Sequence, residues 1–430
     1  MSSKPSPLRA LRHRNFQLFA GGQLISLVGT WMQQVAQSWL IFRLTQSSFL
    51  LGMVSFAGQI PVFLVSPIGG HVADRLDRRR IMIATQTASM ILAFVLAALT
   101  LSHRVREWHI ILLAVFLGLV NAFDLPARQA ALVQMVERED LMNAIALNSS
   151  MFNGARVIGP AIAGLLVAAI GEGWCFFVNG ASYIAVIVGL LMMRMPKKLE
   201  GHAVSGTAIE NIVEGFRYVA HTAPIRALLL LIGVISFCGM PYAVLMPVFA
   251  ENILHAGARG LGILMGASGA GALLGSIALA MRSSVKGLGR WVAVSAGAFG
   301  AALALFALSR SFWLSAAFLV PVGAMMMVQM ASSNTLIQSM VPDALRGRVM
   351  AVYSMMFMGM GPLGSLLAGS AAHRIGAPIA VAAGGVISVL GAIVFGLRLP
   401  NLRGEARELI LAQQYAGGDP VQEQTATGAE

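Results

Sequence analysis

Gly70-His71-Val72-Ala73-Asp74-Arg75-Leu76-Asp77-Arg78-Arg79-Arg80 is a burst of charge set between two long apolar runs. A turn this charged is too costly to bury in hydrocarbon, so it must lie at a membrane surface where two spans meet. Composition outside the turn agrees with that reading. Of 430 residues, 57% are hydrophobic and 11% charged, whereas a soluble domain carries about 25% charged residues. The chain is therefore a polytopic membrane protein.

The formal net charge of +12 does not signal nucleic-acid binding. The basic residues fall in short segments between apolar runs and form no continuous soluble face. Cys175 and Cys238 lie far apart, within or at the edge of apolar runs, and make neither a disulfide framework nor a metal spacing. No metal or cofactor is expected.

Apolar stretches of about 20 residues, the length that crosses a bilayer, recur along the chain. They divide it into a polar N-terminus (1–15), a first half of six spans (16–195), a polar linker (196–224), a second half of six spans (225–399) and a polar tail (400–430). The linker carries Ile209, Ile212, Val213, Phe216 and Val219 at helical spacing, which predicts an amphipathic surface helix. The expected fold is all-α, with twelve transmembrane helices in two six-helix pseudo-repeats. Lys and Arg fix the orientation: 23 fall on the side of the N-terminus and 6 on the other, with Arg156 inside a span. By the positive-inside rule both termini are cytoplasmic. The halves echo one another, Leu132-Val133-Gln134-Met135-Val136 before Gly159-Pro160 matching Leu336-Ile337-Gln338-Ser339-Met340-Val341 before Gly361-Pro362. Repeat-built bundles are a common design for secondary transporters.

With those features in place, Gly70-x-x-x-Asp74-Arg75-x-x-Arg78-Arg79 resembles the loop motif of the major facilitator superfamily, with Asp77 where a glycine is common. Ala155-x-x-x-Gly159-Pro160-x-x-Ala163-Gly164 resembles that family's antiporter motif, alanines replacing two glycines. Arg14-Asn15-Phe16, Asn121-Ala122-Phe123-Asp124-x-Pro126-x-Arg128-Gln129 and Arg346-Gly347-Arg348-Val349 extend the similarity over nearly the whole chain. They resemble the twelve-span drug:proton antiporter and enterobactin (siderophore) exporter-like branch. The resemblance implies a multi-pass protein of a bacterial-type inner membrane that exchanges a small molecule for protons.

It also implies that Asp74 helps hold the two halves together when the cytoplasmic side is closed. Gly70, Asp74, Arg75, Arg78, Arg79 and Asp124 are the expected gating set, with Asp74, Arg78 and Asp124 as the latch, because charge-assisted bonds shielded from water can bias a two-state equilibrium. The alternative for Arg75, Arg78, Arg79 and Arg80 is that they only fix topology. In the first span, Gln23, Ser26, Thr30, Gln33, Gln34 and Gln37 fall within an arc of about 100°. Such a stripe faces the bundle interior, either lining a water-filled cavity or bonding helices together.

Arg156 lies about 15 residues, or roughly 22 Å, into the fifth span. It either meets an anionic substrate or balances a buried partner. Gly159, Pro160 and Gly164 are a candidate bend with close packing. Tyr242, Gln329 and Asn334 are further path candidates, and the methionines of spans ten and eleven offer adaptable apolar surface.

No Gly-x-x-x-x-Gly-Lys-Ser/Thr loop occurs, so a gradient is the expected energy source. Asp74, Asp124 and Glu251, read as lying at span ends, are the candidate proton sites. The expected function is secondary active export of small amphipathic compounds, of drug or siderophore class, by alternating access. Uptake of a small metabolite is the alternative within transport. A membrane enzyme lacks an intramembrane nucleophile and base, and a non-transporting scaffold lacks a soluble domain. The expected partners are the substrate, a proton and the lipid bilayer, with no nucleic acid; the oligomeric state is open and compatible with a monomer.

Overall fold

Long apolar segments broken by short polar turns give a bundle that is helical throughout. The computed structural model of the protein describes residues 8–193, 208–281 and 287–416. Six helices make the first half: α1 (Arg14–Thr45), α2 (Ser48–Arg75), α3 (Arg78–Leu101), α4 (Glu107–Met135), α5 (Leu141–Ile170) and α6 (Glu172–Met192). The amphipathic α7 (Ala208–His221) follows. The second half contains α8 (Ala223–Ile253), α9 (Gly257–Ala280), α10 (Leu288–Leu308), α11 (Phe312–Met340), α12 (Asp343–Ile375) and α13 (Ala377–Ala416). Eleven of these helices are long and apolar enough to cross a membrane. α1 completes the twelve: it is 32 residues long, and its glutamine stripe makes it less apolar than the rest.

Turn chemistry sets the helix ends. Ser47 Oγ accepts from Leu50 N at 3.3 Å to start α2, and Asp77 accepts from Arg79 N at 2.9 Å to start α3, as N-cap residues do. Asp77, the departure from the family's loop motif, is thus a helix cap. Gly171 and Gly376, each at φ +87°, make the tight turns after α5 and α12. Side chains rarely take that backbone conformation, and its recurrence at equivalent points reflects the duplication.

The same pairs pack in both halves. α2 lies on α4 as α9 lies on α11, and α3 on α6 as α10 on α13. Between the halves the main contacts are α2 with α12 and α5 with α9, and α1 also touches α8 and α9. Large apolar side chains such as Leu165, Leu305, Val394 and Leu397 remain exposed, as a lipid-facing surface requires.

Helices run past two of the expected boundaries. The helix that carries the twelfth span does not stop at 399: α13 runs through Pro400 to Ala416, because Leu402, Ala406, Leu409 and Ile410 continue its apolar stripe onto the core. The second half begins at Ala223, directly after α7. That helix is held to the start of α12 by an ion pair of Glu214 with Arg348 at 2.7 Å. The expected N-terminal residues 1–7, linker residues 194–207 and tail residues 417–430 lie outside the described residues.

Candidate functional site

With twelve crossings, α1 begins and α13 ends on one side, here termed the terminus-bearing end. Among the described residues the two halves touch from the opposite, far end to about mid-helix. Added Cβ atoms show where: at Gly164 one would lie 2.9 Å from Gly262 Cα and 3.0 Å from Ala258 O, and at Gly369 one would lie 2.7 Å from Ser48 O. Among the described glycines of α2, α5, α9 and α12, the close approaches to the other half lie between that far end and mid-helix, where Gly269 meets the Arg156 carbonyl and Gly359 the Phe63 ring. At the terminus-bearing end the surfaces stand apart. Met142, at the start of α5, is 76% exposed, and the Asp74 side chain is 73% exposed.

A cavity of about 660 Å³ occupies the parted side, between the first half and the start of α12. Gln23, Ser26 and Thr30 of α1, Gln59 and Ser66 of α2, Gln86 and Ser89 of α3, and Asn121 and Arg128 of α4 supply its polar wall. Phe63, Leu117, Leu125, Phe152, Met355 and Met358 supply the apolar one. Helices can approach closely enough to shape this wall because they carry small residues. A Cβ on Gly69 would overlap the Ala122 carbonyl, so the tight α2–α4 contact is at Gly69 while Gly70 faces open space.

The first-span stripe divides between cavity and packing. Gln23, Ser26 and Thr30 line the cavity. Gln33 is 7% exposed, and its Oε1 accepts from Asn179 Nδ2 at 2.7 Å, tying α1 to α6. Gln34 is exposed and Gln37 half-buried, both outside the cavity lining. Tyr242 donates to or accepts from Ser268 Oγ at 2.8 Å, Gln329 Nε2 donates to Ser333 Oγ at 3.3 Å, and Asn334 Oδ1 accepts from Gln338 at 2.5 Å. These three belong to the packing of the second half and not to the cavity wall.

The expected latch separates into two clusters. Asp74 meets Arg78 at 3.8 Å, and Arg78 also donates to Ala130 O at 3.0 Å and Ala73 O at 3.3 Å. Arg79 donates to Leu190 O and Leu191 O, both at 2.6 Å, capping the C-terminus of α6 where carbonyls lack helical partners. Arg75 is exposed.

Asp124 belongs elsewhere. It is 1% exposed and sits within α4 instead of at a span end, because that helix continues to Met135. Its Oδ1 accepts from Thr85 at 2.7 Å and Gln86 at 3.0 Å, and its Oδ2 pairs with Arg128 one turn on. Arg128 faces the cavity inside the bundle. The four-residue spacing of acid and arginine in an apolar helix is the signal that marks such a pair. Glu251 is exposed at the far end of α8.

Arg156 has its guanidinium 5.7 Å from the Trp31 ring, a cation–π distance. Trp31 in turn meets Phe152 of the cavity wall edge-on at 5.6 Å. Among the described residues no ion pair satisfies Arg156. Gly159 packs on Trp31 and Gly164 on Gly262, while α5 runs unbroken through Pro160. The three residues are thus contact points on a continuous helix. Among the described residues no group of three potential metal ligands converges.

Comparison with known proteins adds to this geometry. A family model described as transmembrane secretion effector matches residues 5–425. The chain is 26% identical to a staphyloferrin A transporter of Staphylococcus aureus, over 81% of this chain and 87% of that one. It is 28% identical to the multidrug efflux pump Tap of Mycolicibacterium fortuitum (90% and 92% covered) and 25% identical to an enterobactin exporter of Citrobacter koseri (95% and 96% covered). Its fold superposes on a point mutant of the nucleoside transporter NupG with a TM-score of 0.75 at 14% identity, covering 90% of this chain and 99% of that one.

Proposed function

The chain belongs to the transmembrane secretion effector family of the major facilitator superfamily, and from that premise we propose that it exports small amphipathic compounds by alternating access. The observation that carries this reading is the cavity. It has a polar wall from α1, α3 and α4, an apolar wall of phenylalanine and methionine, and a closed seam beyond it. Methionine and aromatic walls adapt to varied ligands, which fits relatives named for siderophores and for drugs.

On this reading both termini are cytoplasmic in a bacterial-type inner membrane, and the cavity opens inward. Substrate enters from the cytoplasm, the α2–α12 and α5–α9 contacts part at the far end, and the terminus-bearing ends close. Asp74 acts in that second state: freely exposed here, it is brought toward the start of α12 as the halves swing together and stabilises the closure with Arg78. A proton gradient drives the cycle through Asp74 or Asp124, with Glu251 the far-end candidate.

Efflux from preloaded cells tests this reading. Cells producing the protein lose a fluorescent amphipathic compound faster than cells producing an Asp74→Asn variant, and an ionophore that collapses the proton gradient abolishes the difference. Faster accumulation in place of faster loss would overturn export in favour of uptake. Efflux indifferent to the ionophore would overturn proton coupling.

A further inference from the structure

The charges inside the bundle do not cancel. Asp124 and Arg128 pair with each other, and Arg156 adds a second cation. Among the described residues lining the cavity, Arg128 alone carries a formal charge. A net positive interior is costly in a membrane unless a function uses it.

The way the pair is held turns it toward the cavity. Both carboxylate oxygens of Asp124 are engaged, Oδ1 by Thr85 and Gln86 and Oδ2 by Arg128. A guanidinium carries five N–H donors in a planar fork, and the Arg128 side chain is 23% exposed, so its remaining donors face the cavity. Gln86 is fixed from the same anchor. Its Nε2 donates to Asp124 at 3.0 Å, which aims Oε1 elsewhere, and that oxygen is buried without a partner. The residue is 4% exposed and lines the cavity. A buried acceptor left unpaired costs free energy that a ligand donor recovers. Cationic donors and one neutral acceptor thus line the same cavity as Phe63, Met355 and Met358.

We propose that Arg128 and Gln86 form the subsite for the acid group of an amphipathic organic anion, with Asp124 as their positioning residue. The acid oxygens accept from the Arg128 fork, a neighbouring hydroxyl or N–H of the ligand donates to Gln86 Oε1, and the apolar body lies against the phenylalanine and methionine wall. This rests on the transport reading and narrows its substrate class.

Equilibrium binding to the purified full-length protein tests it, with three probes that share one fluorophore: anionic dansylglycine, neutral dansylglycinamide and cationic dansylcadaverine. Dansylglycine binds about tenfold or more tightly than the amide, since bonds to a charged partner exceed neutral ones by about that factor, and the cationic probe binds weakest. Arg128→Lys retains part of the preference, because charge remains while the fork is lost. Gln86→Glu weakens the anion selectively by about tenfold.

Arg128→Gln alone leaves Asp124 buried and unpaired, so the double variant Asp124→Asn with Arg128→Gln removes the pair at constant charge. It binds the anionic and neutral probes alike. Equal binding of all three probes by the unaltered protein, a preference for the cation, no binding of any, or a preference that survives the double variant overturns the subsite. The two readings fail separately. A protein that discriminates the probes but moves no compound across a membrane refutes transport, and one that transports without discriminating refutes the subsite.

Discussion

Gly164→Val should push the protein out of the conformation described here. A Cβ at this position lies 2.9 Å from Gly262 Cα and 3.0 Å from Ala258 O, while ordinary contact begins at 3.4 Å. Both atoms are backbone and cannot rotate aside, so the seam must widen by about 0.5 Å for a methyl group and by more for valine. Overpacking of this kind costs about 1–3 kcal/mol. The clash exists only while the far-end seam is closed, so the cost falls on one state of the cycle. A difference of that size shifts a two-state population by roughly 5- to 150-fold. Spin labels at Met142→Cys and Met281→Cys, both exposed methionines on opposite halves at the terminus-bearing end, report the shift once Cys175 and Cys238 are replaced by alanine. The unaltered seam gives mainly a long separation. Gly164→Val enriches the short one, whereas Gly154→Val, in the same helix but with nothing within 4 Å, does not. A folded Gly164→Val protein with an unchanged distance distribution would refute the seam argument.

The other predictions concern single contacts. Asp74→Asn changes the unfolding free energy by less than about 0.5 kcal/mol, as exposed substitutions do, yet lowers transport; normal efflux from the folded variant removes the latch. Gln33→Leu strands the buried Asn179 amide and lowers stability by about 1–3 kcal/mol, read as an earlier thermal midpoint, with ligand affinity retained. Gln23→Leu, on the cavity wall, alters affinity with a smaller change in midpoint. Arg79→Ala uncaps α6 and lowers the midpoint by an amount corresponding to about 1 kcal/mol, while Arg75→Ala, at an exposed arginine, leaves it in place.

Much of the fold could be read from the chain because spans are written locally. Apolar runs, the charged turn after α2 and the paired Gly-Pro sequences each lie within a few residues of what they determine. The candidate site was legible only in part. Gln23 and Gln33 look alike on the helix wheel of α1, and what separates them is Asn179, 146 residues from Gln33. No pattern within α1 records that partner. Asp124 was read at a span end for a different reason. Hydropathy marks where a helix leaves the hydrocarbon, but α4 continues to Met135, and two charges that satisfy each other sit inside the bundle at a cost that hydropathy counts in full. The unbroken course of α13 past Pro400 has the same origin: an apolar stripe on one face holds a helix whose average composition is polar.

The central claim is outward transport through the inward-opening cavity. Its most direct test is flux into inverted membrane vesicles, where the cytoplasmic face is outside and an acid lumen supplies the gradient. An amphipathic organic anion is expected to accumulate inside vesicles carrying the protein, accumulation to fall when the gradient is dissipated, and Gly164→Val to slow it. No accumulation in either direction, or accumulation only in right-side-out vesicles, would contradict it.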